Sequence, residues 1–252
     1  MPFINIRNIH FSYGEEKILD NIDMDIERGD FVCLLGQSGC GKSTFLRLLA
    51  GLAAPSSGSI VINGKVVTGA SLDRGVVFQD YSLFPWFTSG KKFRDMTKQD
   101  LKERAMFFLK RVGLDESVYN KYPNELSGGM RQRCAICRSF ALDPPILLMD
   151  EPFGALDAVT RAHLQNLILS LWNQDSGTRK TIFFVTHDVE EALYLSTKIY
   201  VFGLKPSRVI YSCVLDKARF CTREQLLNDP KISSLRQQLV TILNNDIETK
   251  LN

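Results

Sequence analysis

The chain has 252 residues, 44% of them apolar and 23% charged, with a net charge of +3. That length is enough for one large domain, or a domain with a lobe and a tail, around a substantial core. The charge is too small to argue for nucleic acid or an anionic membrane surface. With no apolar run near the roughly 18–20 residues that cross a bilayer and no signal peptide, the expectation is a cytosolic protein able to dock on a membrane protein.

Taken in chain order, Phe3–Tyr13 alternates apolar and polar residues as a strand does, and Ile22, Met24 and Ile26 alternate again in the next segment. Phe31–Leu35 is a short unbroken apolar run, the pattern of a strand covered on both faces. It leads into a glycine-rich loop, after which Ser43–Ala50 has helical character and Gly51 is a stop. Asn63-Gly64, between Ile60-Val61-Ile62 and Val66-Val67, predicts a hairpin. Gly75–Gln79 reads as a further strand, followed by the aromatic run Tyr81–Phe87 and the basic, polar Lys91–Lys102.

Thr97 and Asp100 resemble a capping box that opens a helix with Leu101, Ala105, Phe108 and Val112 on one side and Gly113 at its end. Arg131–Leu142 looks like a helix with one buried face, and Ile146–Met149 like a buried strand. Then follow a helix at Asp157–Gln174, a strand at Thr181–Thr186, a helix at Val189–Ser196 and a strand at Ile199–Phe202. Strand alternating with helix means an α/β core with a parallel sheet. From Thr222 onward the pattern is helical and charged, with Pro230 interrupting it. The six cysteines (Cys33, Cys40, Cys134, Cys137, Cys213, Cys221) read as free thiols. For the C-x-x-C of Cys134 and Cys137, helix packing is a better reading than metal or redox chemistry, because no second pair stands at ligand spacing.

Gly36-Gln37-Ser38-Gly39-Cys40-Gly41-Lys42-Ser43-Thr44 matches G-x-x-x-x-G-K-[S/T]. Its glycines let backbone N–H groups turn toward phosphate oxygens, and the following helix points its positive end at them. Lys42 reaches the terminal phosphates and Ser43 offers a hydroxyl to Mg²⁺. Asp150 ends an apolar strand, where a carboxylate can hold the metal's water shell. Glu151, next along, would face the terminal phosphate and orient or deprotonate water. The serine and two glycines of Leu126-Ser127-Gly128-Gly129-Met130 form another anion site at a helix start, without a lysine or metal ligand of its own. Cys40, near a helix N-terminus that favours thiolate, is expected to be alkylated with loss of activity and protected by ATP.

With these three motifs in this order, the chain resembles the nucleotide-binding subunits of ATP-binding-cassette transporters over nearly its whole length. Leu126–Met130 followed by Arg131-Gln132-Arg133 is similar to that family's signature motif. The resemblance implies a phosphate-loop NTPase core with a mixed, largely parallel sheet, an antiparallel β subdomain and an inserted α-helical signature subdomain. It places the ATPase domain at 1–220, the helical insertion at about 80–140 and a helical tail at 221–252. It implies ATP and Mg²⁺ as cofactors, and two subunits packed head to tail so that Ser127, Gly128 and Gly129 of one meet ATP held by Lys42 of the other. That pair is a homodimer or a heterodimer.

By the same resemblance Gln79 touches Mg²⁺ and senses the transport partner, and His187 is the switch histidine near the γ-phosphate. Asp157, in Gly154-Ala155-Leu156-Asp157, lies at the dimer interface, and Tyr13 stacks on adenine. Ser43, Gln79 and Asp150 form the metal set; Glu151, His187, Lys42 and Gln79 form the catalytic set. His10 and His163 read as structural. Leu83-Phe84-Pro85-Trp86 and Pro152–Asp157 are similar to the importer ATPases of the nitrate, sulfonate and taurine group. The implied protein is a peripheral motor on the cytoplasmic face, working with integral-membrane permease subunits and, indirectly, an extracytoplasmic solute-binding protein, with no nucleic-acid partner. Ser89–Asp100 departs from the family by being short and polar, which bears on the permease docking surface. Exporter motors and soluble non-transport cassettes are the competing readings.

Overall fold

The computed structural model describes residues 2–78, 98–154, 156–173, 179–216 and 223–251. They group into two compact units, Met1–Ser71 with Lys180–Asn252, and Leu72–Arg179.

The first unit holds two sheets. In one, β1 (Ile4–Tyr13) runs antiparallel between β2 (Glu16–Ile26) and β4 (Ser57–Ile62), and β5 (Lys65–Val66) adds a short edge. Ile4, Ile6, Ile9 and Phe11 of β1 are all buried, although Ile6 and Ile9 stand at an odd spacing that a regular strand would send to opposite faces. A bulge resets the phase: Asn8 has φ 49°, and the pairing shifts between Ile6 and Ile9. Asn63 and Gly64 both have positive φ and close the predicted hairpin between β4 and β5, as a type I′ turn requires.

In the other sheet β3 (Phe31–Gly36) lies between β8 (Thr181–Thr186) and β9 (Lys198–Phe202), all parallel. Every residue of β3 and β8 is buried, as expected for central strands. An antiparallel edge strand, β10 (Val209–Val214), follows β9; its half-exposed alternation hides it from a search for apolar runs. Helix α1 (Lys42–Ala50) leaves β3 through the glycine-rich loop and packs Phe45 edge-to-face on Phe202 at 5.5 Å. Gly51 stops it with φ 74°.

In the second unit β6 (Arg74–Val77) runs parallel to β7 (Ile146–Asp150). Helix α2 (Lys98–Arg111) buries Ala105 and Phe108, with Val112 beyond its end, on the predicted side; Gly113, φ 69°, ends the turn. Thr97 and the segment from Gln79 to it lie outside the described residues. Two 3₁₀ turns, Glu116–Asn120 and Pro123–Glu125, lead to α3 (Gly128–Ala141), and α4 (Ala158–Trp172) follows β7.

Returning to the first unit, α5 (Val189–Leu195) leaves β8, and α6 (Arg223–Asn228) and α7 (Pro230–Leu251) close the chain. The helical tail is interrupted at Pro230 as expected, with α6 ending at Asn228, and Pro230 begins the second helix. Asp229 Oδ1 accepts from the Lys231 N–H at 2.8 Å, and a proline in the first helical turn needs no N–H partner. Leu239, Ile232 and Leu243 then bury one stripe of α7. Among the described residues no helix is long and apolar enough to cross a membrane.

Asp20, 4% exposed on β2, is the electrostatic hub of the first unit. Its carboxylate accepts from Lys17 Nζ at 2.6 Å and from the Arg208 guanidinium, with His10 Nδ1 at 2.9 Å. The second nitrogen of His10 lies 2.9 Å from Asn8 Oδ1, so this histidine is structural as expected. Hydrogen bonds from Lys17 and then Arg208 outweigh burial and lower the Asp20 pKa to about 2. A depressed carboxylate stabilises the fold fully above its unfolded value of 3.8 and loses that contribution as pH falls toward 2. Asp20→Asn should therefore lower the Tm at pH 7, with the gap to the native protein closing between pH 4 and pH 2. Thermal melts across that range check it, and a gap independent of pH would remove the ionised Asp20 from this role.

Candidate nucleotide site

The glycine-rich loop is shaped from both ends. At Gly36 a Cβ would stand 2.6 Å from the Phe202 carbonyl oxygen and 3.1 Å from Cys40 Sγ. At Gly41, φ 112°, it would meet Leu19 and Ile18 side chains at 3.0 and 3.1 Å. Gly36 has no room for a Cβ against the Phe202 backbone, and Gly41, tight against two side-chain tips, needs a left-handed backbone. Gly41 is the N-cap of α1 with no side-chain cap, and the first turn carries no acid. The helix start is thus left positive. Lys42, 4% exposed, donates Nζ to the Gly36 and Gln37 carbonyls at 2.8 and 2.7 Å, which keeps the ammonium within the loop. A helix N-terminus without a side-chain cap and a buried lysine fit a polyphosphate. Ser43 and Thr44 follow in the first turn of the same helix.

His187 reaches the same neighbourhood through the sheet. Leu35 pairs with Thr186 in the parallel register, so one residue further His187 leaves β8 as the loop leaves β3. Its backbone is set by groups that motif reading missed. Thr186 Oγ1 donates to the buried Glu191 carboxylate at 2.7 Å and accepts from the Asp188 N–H at 3.0 Å, while Asp188 caps α5 through the Glu190 and Glu191 amides. The sequence signal was Asp188 followed three residues later by Glu191, a capping-box spacing.

The second unit carries the acids and the serine-diglycine stretch. Asp150 ends β7, 7% exposed. Glu151 has φ 45°, a left-handed conformation that a branchless glycine would adopt freely and a glutamate does not. Two groups hold it there: its carbonyl accepts from the Gly154 N–H and from Gln132 Nε2, each at 3.2 Å. Gln132 lies buried on α3, so the helix that begins at Ser127 also fixes the backbone of Glu151. Ser127 caps that helix, Oγ accepting from the Met130 N–H at 3.3 Å, and is itself exposed. Gly128 and Gly129 form its first turn, which contains no acid. Arg133 Nη1 donates to the Gly113 carbonyl at 2.8 Å and ties α3 to the end of α2.

Comparison with known proteins settles the family. The ABC transporter family profile matches residues 19–154. The taurine import ATP-binding protein TauB of Rhizobium johnstonii is 43% identical over 235 residues, 89% of this chain and 88% of that protein. The aliphatic sulfonates import ATP-binding protein SsuB of Bacillus cereus is 44% identical over 199 residues, 78% of each. A dimeric post-hydrolysis structure of an ATP-binding cassette bound to ADP and Pi superposes with a TM-score of 0.73 at 34% identity, covering 84% of this chain and 99% of that one. The chain belongs to the ABC transporter family. It is an ATP-binding subunit, an ATPase whose turnover is coupled to transport.

The remaining expected residues of this cassette fall as follows. Tyr13 stands at the end of β1, half exposed, with its ring in a T-shaped contact with Phe11 at 4.8 Å. Asp157 caps α4 through the Thr160 N–H at 2.9 Å, a bond that holds its carboxyl below the usual range. Ala155, Gln79 and Leu83–Trp86 lie outside the described residues, as does Ser89–Thr97. His163 Nε2 lies 3.3 Å from the Arg111 carbonyl, a structural position.

Cys134 and Cys137 stand one turn apart on α3, and burial pushes their thiols up to about 11 and about 12. A redox or metal thiol needs the opposite shift. Cys40 requires a correction. Its thiol is 1% exposed, and burial, only partly opposed by Lys42, pushes its pKa up despite the helix end nearby. The expected thiolate is disfavoured, because desolvation outweighs the helix dipole. Cys40 in the native cassette should therefore react with iodoacetamide at pH 8 more slowly than free cysteine by about tenfold or more, with or without ATP. Peptide mass spectrometry checks this, and labelling at the free-thiol rate would contradict it.

Proposed function

We propose that this cassette is the motor of a solute importer and that two copies, or one copy and a close relative, enclose two ATP molecules between them. The observation that carries this is the start of α3. An exposed serine cap, two glycines and a positive helix end make half of a phosphate cage, with no lysine and no metal ligand of their own. A phosphate delivered by a facing subunit, held by that subunit's Lys42, completes it. The dimeric state of the ADP and Pi-bound relative supports the same arrangement.

The Ser43 hydroxyl and Asp150 carboxylate are hard oxygen donors that suit Mg²⁺, with Gln79 as a third. When bound there, the ion would supply charge neutralisation for the phosphates. Glu151 accepts the proton of the attacking water; the water oxygen bonds to the γ-phosphorus as the β–γ bridging bond breaks, giving ADP and phosphate. Its fixed left-handed backbone, locked by Gln132 and Gly154, orients the carboxylate for that step. Lys42 and the facing Ser127 stabilise charge on the transferring group, and His187 holds the γ-phosphate side. Tyr13 stacks on adenine, and Asp157 lies at the dimer interface. Cycles of closure and opening act on separate membrane permease subunits at the cytoplasmic face, with an extracytoplasmic binding protein delivering the solute. The import names of the taurine and sulfonate relatives support a small organic anion of that class as cargo.

Glu151→Gln should still bind ATP, with hydrolysis lowered about a hundredfold or more, and should form an ATP-dependent dimer on gel filtration. Turnover at the native rate would remove Glu151 as the base. In cells lacking the gene, uptake of radiolabelled taurine or an alkanesulfonate should fall to background. The native gene should restore it and Lys42→Ala should not. Undiminished uptake of both solutes in the deletion strain would reject this cargo class.

A further inference from the structure

The wall that shapes the phosphate loop is itself held by the C-terminal helix. Phe202, whose carbonyl abuts Gly36, ends β9 and leads into a tight turn over residues 203–208. In that turn the Gly203 N–H donates to the Arg208 carbonyl at 3.0 Å, and Ser207 Oγ donates to the Gly203 carbonyl at 2.7 Å. The Ser207 N–H donates to the Ile18 carbonyl at 2.8 Å, and the Asp20 N–H to the Ser207 carbonyl at 2.9 Å. Ile18 and Leu19 are the residues packed on Gly41. One turn therefore supports both glycines at which the loop bends. On its outer side Asp246 of α7 accepts the Leu204 N–H through Oδ2 at 2.7 Å. A Cβ placed on Gly203 would stand 2.9 Å from Ile210 Cγ2 and 3.1 Å from Asp246 Oδ1, so the carboxylate lies close against the turn. The charge of Asp246 is also felt at Cys40, inside the loop, where it adds to burial in raising the thiol.

We propose that Asp246 is a positioning residue for ATP, holding the 203–208 turn so that Gly36 and Gly41 keep the loop in its phosphate-binding shape. The tail helix has a second ionic contact on the same unit, Arg236 with Glu190 of α5 at 3.0 Å, but that pair is largely exposed and contributes little. The two contacts separate a specific brace from general docking of the tail.

The test uses the full chain, titrated with a fluorescent ATP analogue and assayed for steady-state hydrolysis. Asp246→Ala leaves the Leu204 amide without its acceptor and should raise the Kd for ATP about threefold or more, with kcat at saturating ATP within about twofold. Asp246→Asn keeps an oxygen acceptor at the same place and should stay within about twofold of the native Kd, as should Arg236→Ala. Should the alanine chain not fold, Asp246→Glu, which displaces the acceptor by one methylene, serves in its stead and should weaken ATP likewise. Lys42→Ala, measured alongside, reports whether the assay reads the phosphate loop at all. A folded alanine or glutamate variant with native affinity, or equal losses in Asp246→Asn and Asp246→Ala, overturns the assignment.

Discussion

The phosphate loop of this cassette is bent at two glycines, each pressed by a neighbour from another segment. The Phe202 carbonyl closes on Gly36 and the Ile18–Leu19 side chains close on Gly41. Helix α1 starts at Gly41 with no side-chain cap and no acid in its first turn, so its end stays positive toward whatever the loop binds. Lys42 sits 4% exposed against the loop's own carbonyls, so the cation is already desolvated and its charge acts in a low-dielectric setting. Every other feature of the nucleotide site depends on this loop holding its shape.

The second unit solves a different problem, which is to hold a carboxylate in a backbone conformation it does not choose. Glu151 is left-handed at the end of β7, a state that costs on the order of 1–3 kcal/mol unless its surroundings fix it. The Gln132 amide and the Gly154 N–H do so by converging on one carbonyl. Gln132 belongs to the helix that Ser127 caps, and Arg133 on that helix anchors it to the end of α2. One hydrogen bond thus joins the helix that carries the serine-diglycine stretch to the backbone of the acid inside the unit.

Burial decides the chemistry of the ionisable groups more than helix ends do. Cys40 stands next to a positive helix start and is still driven toward the neutral thiol, and Cys134 and Cys137 behave alike. Asp20 moves in the opposite direction because its desolvation is overcome by Lys17 and Arg208. Asp246 links the last helix to the wall of the loop through the Leu204 amide.

Motifs whose function lies in consecutive backbone atoms were legible in the chain itself: the glycine-rich loop, the Asn63–Gly64 hairpin, the acid at the end of β7, and the unbroken apolar strands β3 and β8. Their conformations follow from local sterics and from burial on two faces, both of which a linear pattern records. What the pattern could not record were contacts between distant segments. Gln132 on the Glu151 carbonyl, Thr186 with Glu191, Asp20 with Arg208, and Asp246 on the Leu204 amide each depend on where the chain returns. So do the antiparallel strand β10, whose half-exposed residues carry little apolar signal, and the role of Pro230, which begins a helix once Asp229 caps it. Sequence spacing specifies which groups a segment offers; only folding determines how deeply each is buried and which partner it meets, and those two quantities set charge, orientation and strain.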